Sequence, residues 1–298
     1  MKKISIPFLL IVLTATGLFA QKPINITEDS VSYRNVKHPG VVVCIPEVAY
    51  EPVQKAWVKI LESGTKSKAV YENGEWSIFG ARLKTVSETP VNVYSKLAAQ
   101  DSMVKLMVLV ELKKDVYVEK GSAETEMDNL KVMIKQFAKN QYTELAEDQY
   151  KAEDKKLREL EKELSSYEGD ESKLEKSIRS DEKTIKEEED NLAVLNNELT
   201  NLSAEAITEN TQFSQLQEGA AKEEKAKYIK DLEKRKKKVT NDIKSAENQI
   251  SKANSDIRDA NAGIPKSQVL QKEVREKIAI QEAVVRKFED KLNKIKDY

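Results

Sequence analysis

The residues best able to do chemistry in this sequence are one histidine, one cysteine and one short segment of serine, threonine and lysine. His38 and Cys44 are too few for a zinc site of histidine and cysteine ligands, and a histidine-based nucleophile triad would have to use His38. No Gly-x-Ser-x-Gly motif presents a nucleophilic serine. Residues 63–67, SGTKS, lack the upstream glycine of a phosphate-binding loop, because position 59 is lysine.

The sequence therefore predicts a protein that is not an enzyme. It assigns no catalytic, cofactor-binding or metal-binding residue, and no cofactor. His38 precedes Pro39-Gly40, so it is expected to be an ordinary residue of a turn. Cys44 lies in the apolar run VVVCI (41–45) and is expected to be buried in the core. A free thiol that forms an intermolecular bridge is the alternative.

The most basic segment is KRKKK at residues 234–238. Such a run can bind nucleic acid or an anionic surface. The favoured interpretation is a solvated helix face whose charge opposes an acidic helix of the same protein. No nucleic-acid partner is therefore predicted, whereas a protein partner of unknown identity is.

The N-terminus has the pattern of a secretory signal peptide. Lys2 and Lys3 precede the apolar run of residues 4–20, which ends in small residues. We expect residues 1–20 to be cleaved and the protein to be exported, to the periplasm or the cell exterior. An uncleaved N-terminal anchor is the alternative. No later segment is apolar enough to predict a transmembrane helix.

Residues 21–121 predict an α+β head domain. The candidate strands are VSYRNV (31–36), VVVCI (41–45), two runs within 68–83, VNVYSKL (91–97) and MVKLMVLVEL (103–112). Asn73-Gly74 predicts a tight hairpin turn within 68–83, because both residues tolerate positive φ. A helix follows Pro52 and ends at Gly64. An antiparallel sheet with helices on one face would bury these apolar residues.

Residues 122–298 predict a coiled-coil tail. The apolar spacing changes here to about 3.5 residues, which is the coiled-coil repeat. One set of core positions runs from Tyr150 to Leu216, and a second from Ile229 to Ile295. The repeat shifts around Gly219, which predicts a helix over about 122–217, a turn near 219 and a helix over about 222–296. Charged residues interrupt the core positions and are expected to weaken them locally: Glu153, Glu171, Asp181, Glu188 and Lys236.

The charge distribution favours an antiparallel hairpin. Residues 150–217 contain 10 basic and 18 acidic residues, and residues 222–298 contain 21 basic and 14 acidic residues. Antiparallel pairing sets these opposite charges against each other, whereas a parallel dimer sets like against like. Pairing large with small core residues can place Ile178, Ile185 and Leu192 against Ala260, Ala253 and Ala246. A shift of one heptad fits similarly, so the register is predicted only to within one heptad. A monomeric hairpin is favoured, and an antiparallel domain-swapped dimer remains the alternative.

Three segments also support a resemblance to known proteins: GLFAQ (17–21), AWVKILESG (56–64) and VVRKFEDKLNKI (284–295). With its signal peptide, small α+β head and Lys/Glu-rich coiled-coil tail, the chain resembles a group of uncharacterised exported bacterial proteins. The resemblance spans the whole chain and implies no activity.

Three functions fit these observations. The leading hypothesis is a non-enzymatic exported envelope protein, in which the coiled coil is a spacer or docking arm and the head binds a partner or anchors the arm. The alternative is a periplasmic holdase-type chaperone that grips unfolded clients with its helices. The third is an enzyme with its site in the head, which the missing motifs make the weakest of the three.

Overall fold

The structure is a computed structural model that describes residues 23–34 and 36–298. The expected signal peptide, residues 1–20, lies outside the described residues. The element order is β1 (Asn25–Tyr33), β2 (Val36–Pro46), α1 (Tyr50–Leu61), β3 (Val70–Glu72), β4 (Glu75–Ala81), β5 (Val91–Gln100), β6 (Met103–Lys113), β7 (Val116–Tyr117), α2 (Glu124–Gln215) and α3 (Ala220–Lys296).

The chain divides into two compact units. The head unit comprises the residues up to Asp154 together with Ala283–Tyr298, and the hairpin unit comprises Lys155–Glu282. The predicted α+β head followed by an antiparallel helical hairpin is confirmed. The two long helices begin and end within two residues of the predicted bounds.

The sheet of the head unit is antiparallel, in the order β1-β2-β6-β5-β4-β3, with β7 also paired to β6. VVVCI is a central strand, as predicted, because β2 pairs with β1 on one side and β6 on the other. The predicted Asn73-Gly74 turn joins β3 to β4, and both residues have positive φ. β5 and β6, which contain the predicted strands 91–97 and 103–112, pair as a second hairpin.

The first predicted strand, residues 31–36, is wrong. β1 begins at Asn25 and ends at Tyr33, Arg34 has a positive φ of 48°, and β2 begins at Val36. Residues 38–40 were predicted to be a turn but extend β2 instead. The prediction failed because the exposed half of β1 has no apolar alternation, while His38-Pro39-Gly40 has turn composition.

The main core lies between one face of the sheet and the helices. Val53, Trp57 and Leu61 of α1 are buried there, as the predicted apolar face requires. The Trp57 indole N–H donates to Ser95 Oγ at 2.8 Å, which satisfies the polar atom of a buried ring. The same core includes residues from the start of α2 and from the end of α3. They are Met127, Leu130, Ile134, Phe137, Ala138, Tyr142 and Ala146 of α2, and Leu292 and Ile295 of α3.

The hairpin unit pairs α2 with α3 through the predicted core positions. Leu202, Ala206, Leu232 and Val239 form a buried cluster, and Ala246, Ala253 and Ala260 are buried farther along α3. Leu174 contacts the backbone at Gly263, so Ile178 lies opposite Ala260. The structure thus selects one of the registers that large–small pairing leaves open, since a shift of one heptad would move Leu174 away from Gly263.

Candidate interaction surfaces

The second face of the sheet, opposite the helices, carries a cluster of aromatic side chains. We call it the tyrosine face and define it by Tyr33, His38, Phe79, Tyr94 and Tyr117. Val31, Val42 and Leu109 lie buried beneath these rings in a small second core. Aromatic residues from five strands therefore meet on one surface.

A departure of β2 from the sheet creates this surface. β2 pairs with β6 from Val41 to Pro46, and beyond that point β7 takes its place, with Tyr117 opposite Glu111. Gly40 permits the departure, because a Cβ there would meet the Val108 carbonyl oxygen at 2.6 Å and Val31 Cγ2 at 2.7 Å. The end of the β1–β2 hairpin thus passes over β6, and the ring of Tyr33 stacks on that of Tyr94 at 4.1 Å.

Glu111 is a buried carboxylate at the base of the tyrosine face, with a side chain 7% exposed. It accepts hydrogen bonds from Asn92 Nδ2 at 2.8 Å, from the Tyr94 hydroxyl at 2.9 Å and from the Asp115 backbone N–H at 2.9 Å. Burial raises the pKa of Glu111, but these hydrogen bonds outweigh that effect and hold it below its ordinary value of 4.5. Burial and the bond to Glu111 raise the pKa of Tyr94.

This pair is consequently a fixed hydrogen bond between an ionised carboxylate and a neutral phenol at neutral pH. A general acid or base works best with a pKa near the working pH, and both groups are shifted away from it. Glu111 therefore positions Tyr94 and the β6–β7 turn.

The outer rings of the tyrosine face lie where a partner can reach them. Phe79 is 54% exposed and meets Tyr94 edge-on at 6.0 Å. His38, expected in a loop, instead lies half-buried in β2 and stacks on Tyr117 at 4.2 Å. Arg34 lies over the ring of Tyr33 at 5.3 Å. Aromatic side chains that combine an apolar ring with a polar atom are typical of protein-binding surfaces.

Cys44 also lies on the second face, because it pairs with Lys105 while its neighbours Val43 and Ile45 face the main core. Its thiol is free and half-buried, so the expectation of a buried core cysteine is wrong. A continuous apolar run hides which residues face each side, since the usual polar alternation is absent.

The Ser63–Ser67 segment is a structural turn. Thr65 Oγ1 donates to the Gly80 carbonyl at 3.1 Å and accepts from the Ser67 backbone N–H at 3.2 Å. The Thr65 hydroxyl therefore attaches the end of α1 to β4. Glu62 supports the same turn by accepting from the Ala69 backbone N–H at 3.1 Å.

An open polar groove of about 450 Å³ lies beside the start of α2, lined by Glu28, Asp29, Ser30, Pro39, Gly40, Glu119, Lys120 and Met127. Glu28 pairs with Lys131 at 2.7 Å, and Asp29 accepts from the Ser30 backbone N–H. Over residues 23–34 and 36–298, no group of three or more histidine, cysteine or acidic residues could hold a metal ion.

Within the head unit, a buried ionic cluster joins the N-terminal part of α2 and the C-terminal part of α3 to the sheet. Lys291 of α3 binds Glu47 and donates to Gln149 Oε1 at 3.0 Å. Glu47 also accepts from the Tyr142 hydroxyl at 2.9 Å. No local sequence pattern indicates this cluster, because its bonded pairs are 95 to 244 positions apart in the chain.

In the hairpin unit, the charged residues at core positions have partners. Glu171 accepts hydrogen bonds from Gln268 at 2.7 Å and from Gln271, and Ser267 donates to the Tyr167 carbonyl at 2.9 Å. Asp181 accepts from Ser177, Glu188 from Asn191, and Lys236 pairs with Glu233. α3 also continues through Pro265 without a break.

Among the helices that the structure describes, none is long and apolar enough to cross a membrane. In comparisons with known proteins, no family model matches the chain, and no curated protein sequence matches it.

Proposed function

We propose that this protein is a non-enzymatic exported protein of the cell envelope, periplasmic or extracellular. Its helical hairpin is the spacer or docking arm, and its head binds a protein partner through the tyrosine face. The monomeric hairpin is the favoured form, with the antiparallel dimer as its alternative.

The observation that carries this proposal is the exposure of Phe79 at the rim of an ordered aromatic cluster, on the sheet face opposite the helices. Aromatic residues are enriched in protein interfaces, because large rigid rings bury much surface at a low cost in conformational entropy. Glu111 and the stacked rings hold this surface in place before a partner binds, which lowers the ordering cost of association.

The hairpin unit supports the role of a spacer or arm. Its apolar core residues are buried against each other within the same chain, as in the cluster of Leu202, Ala206, Leu232 and Val239. Most outward residues of this unit are polar or charged, and its exposed large apolar side chains are Val194, Ile207, Tyr228, Val269, Leu270 and Ile280. A holdase would need an apolar surface facing its client, so this burial favours the arm over the holdase.

In-cell photo-crosslinking of the full-length chain tests the proposal. A photoreactive phenylalanine replaces Phe79 on the tyrosine face, and Lys55, exposed on α1, is the matched control position. We expect a discrete protein adduct from position 79, absent from position 55, in the envelope or extracellular fraction. Retention of the protein in the cytoplasm, or equal adducts from both positions, would contradict the proposal.

A further inference from the structure

Five exposed lysines form a stripe along the first third of α3. They are Lys227, Lys230, Lys234, Lys237 and Lys238. At 100° per residue they occupy an arc of about 100° on the helix and extend over roughly 16 Å. The buried residues Leu232 and Val239 lie on the opposite side of α3. The lysine stripe therefore points away from α2.

The stripe is not neutralised by the ion pairs around it. Three neighbouring lysines outside the stripe form ion pairs: Lys222 with Glu218, Lys225 with Glu209 and Lys236 with Glu233. None of the five stripe lysines forms an ion pair within the part of the chain that the structure describes.

The α2 segment beside the stripe forms no ion pair with its lysines. Two carboxylates of this segment bind other residues, Glu209 to Lys225 and Glu205 to the Tyr228 hydroxyl. Leu202 belongs to the same buried cluster as Leu232 and Val239, so this segment surrounds Leu202. Residues 199–204, LTNLSA, contain no charged side chain. The basic run 234–238 therefore lies beside a short neutral stretch of α2, which Glu198 and Glu205 flank.

The stripe lysines are also one another's neighbours on the helix. Lys227 and Lys230, Lys230 and Lys234, Lys234 and Lys237, and Lys234 and Lys238 are three or four residues apart. Exposed Asp231 and Glu233 lie among these lysines, and residues 227–238 hold seven basic and two acidic residues. Like charges three or four residues apart destabilise a helix, and the excess of positive charge attracts anions. A bound anionic surface would remove this repulsion.

We propose that the lysine stripe docks the hairpin onto a membrane surface rich in anionic phosphate headgroups. Lysine is a compact point charge that attracts phosphate without a fixed bidentate geometry, which suits a fluid array of headgroups. A nucleic acid is less well matched, because single strands are bound with aromatic side chains that stack on bases. The nearest aromatic residue, Tyr228, directs its hydroxyl to Glu205 of α2 instead.

This inference rests on the proposed envelope location and names a second partner, bound by the arm. Each basic residue near an anionic membrane contributes a similar increment of affinity, so five in one plane give reversible, salt-sensitive binding. At high ionic strength the attraction is screened, because the Debye length falls to about 3 Å at 1 M salt.

Vesicle co-sedimentation of the chain tests the stripe. The probes are vesicles of phosphatidylcholine alone and vesicles containing about one third phosphatidylglycerol, with duplex DNA as a competing polyanion. We expect binding only to the anionic vesicles, lost at about 1 M salt. The stripe variant K227Q/K230Q/K234Q/K237Q/K238Q should bind at least about 100-fold more weakly.

The matched control is K176Q/K186Q/K252Q/K266Q/K272Q, which removes the same charge from exposed, scattered positions of the two helices. It should keep binding within about threefold, and circular dichroism should show both variants folded. Equal losses in the two variants, tighter binding to DNA than to vesicles, or no vesicle binding by the native chain would overturn the inference. Loss of the Phe79 adduct with vesicle binding intact would instead overturn the proposed function of the head.

Discussion

At the scale of single residues, Glu111 is the most informative side chain of the head unit. It is buried, ionised and hydrogen-bonded to β5 through Asn92 and Tyr94 and to the β6–β7 turn through Asp115. A buried carboxylate is stable only when its oxygens are satisfied in this way. The aromatic cluster above it therefore depends on one charge.

Glu111→Gln is expected to destabilise the head by about 1–3 kcal/mol at neutral pH, because the amide cannot accept all three hydrogen bonds. The folded-state pKa of Glu111 is depressed, so its contribution is present above the unfolded pKa near 4.5 and is lost as the pH falls through the folded-state pKa. The stability difference between the native chain and the variant should therefore shrink below about pH 4.5.

Tryptophan fluorescence during urea unfolding measures this difference for the head, since Trp57 and Trp76 are the only two tryptophans. Glu72→Gln, on the exposed edge strand β3, is the matched control and should change stability by less than about 0.5 kcal/mol. A difference that persists unchanged at pH 3 would refute the role given to the ionised carboxylate.

At the scale of elements, two glycines show how the helices of the hairpin unit pack. Both lie inside long helices, Gly169 in α2 and Gly263 in α3. A Cβ on Gly169 would meet nothing within 4 Å, whereas one on Gly263 would lie 2.9 Å from Leu174 Cδ1. Gly263 thus provides the space that Leu174 fills, and Gly169 does not serve packing.

The two glycines predict opposite results for the same substitution. Gly169→Ala should stabilise the hairpin by about 0.5–1 kcal/mol, because alanine loses less backbone entropy in a helix than glycine. Gly263→Ala should give no gain in stability, since Leu174 must move away from the added methyl group. Thermal unfolding followed by circular dichroism at 222 nm, the helix band, measures both, and an equal gain in the two variants would contradict this packing.

At the scale of the whole molecule, the C-terminal turns of α3 complete the core of the head unit. Leu292 and Ile295 of α3 are buried with the sheet, α1 and the first turns of α2. Lys291 reinforces this contact through Glu47 and Gln149. The core of the head unit thus joins residues as far apart as Val41 and Ile295, 254 positions along the chain.

Ile295→Ala should therefore destabilise the head unit by about 2–4 kcal/mol, the usual cost of emptying a fully buried aliphatic site. Ile280→Ala is the matched control in the same helix, because Ile280 is 65% exposed and should change stability by less than about 0.5 kcal/mol. Tryptophan fluorescence reports on the head directly. Equal effects of the two variants would show that the C-terminal turns do not belong to its core.

Local chemistry in the sequence determined most of the architecture. The Asn73-Gly74 turn, the alternation in β5 and β6, the heptads of both helices and their opposite charges each depend on neighbours within a few residues or on sums over a whole helix. Such patterns are independent of the rest of the fold, so they predicted the antiparallel sheet and the hairpin. They left the register of the hairpin open to within one heptad, and the contact of Leu174 with Gly263 decides it.

Only the tertiary structure decided the surfaces. The stack of Tyr33 on Tyr94, the burial of Glu111, the side of the sheet on which Cys44 lies and the cluster of Glu47, Tyr142 and Lys291 all join residues far apart in the chain. No local periodicity encodes these contacts, because they depend on strand order and on where β2 leaves β6 at Gly40. Lys234, Lys237 and Lys238 of the stripe belong to a basic run in the sequence, but its position beside the neutral stretch 199–204 followed only from the pairing of α2 with α3.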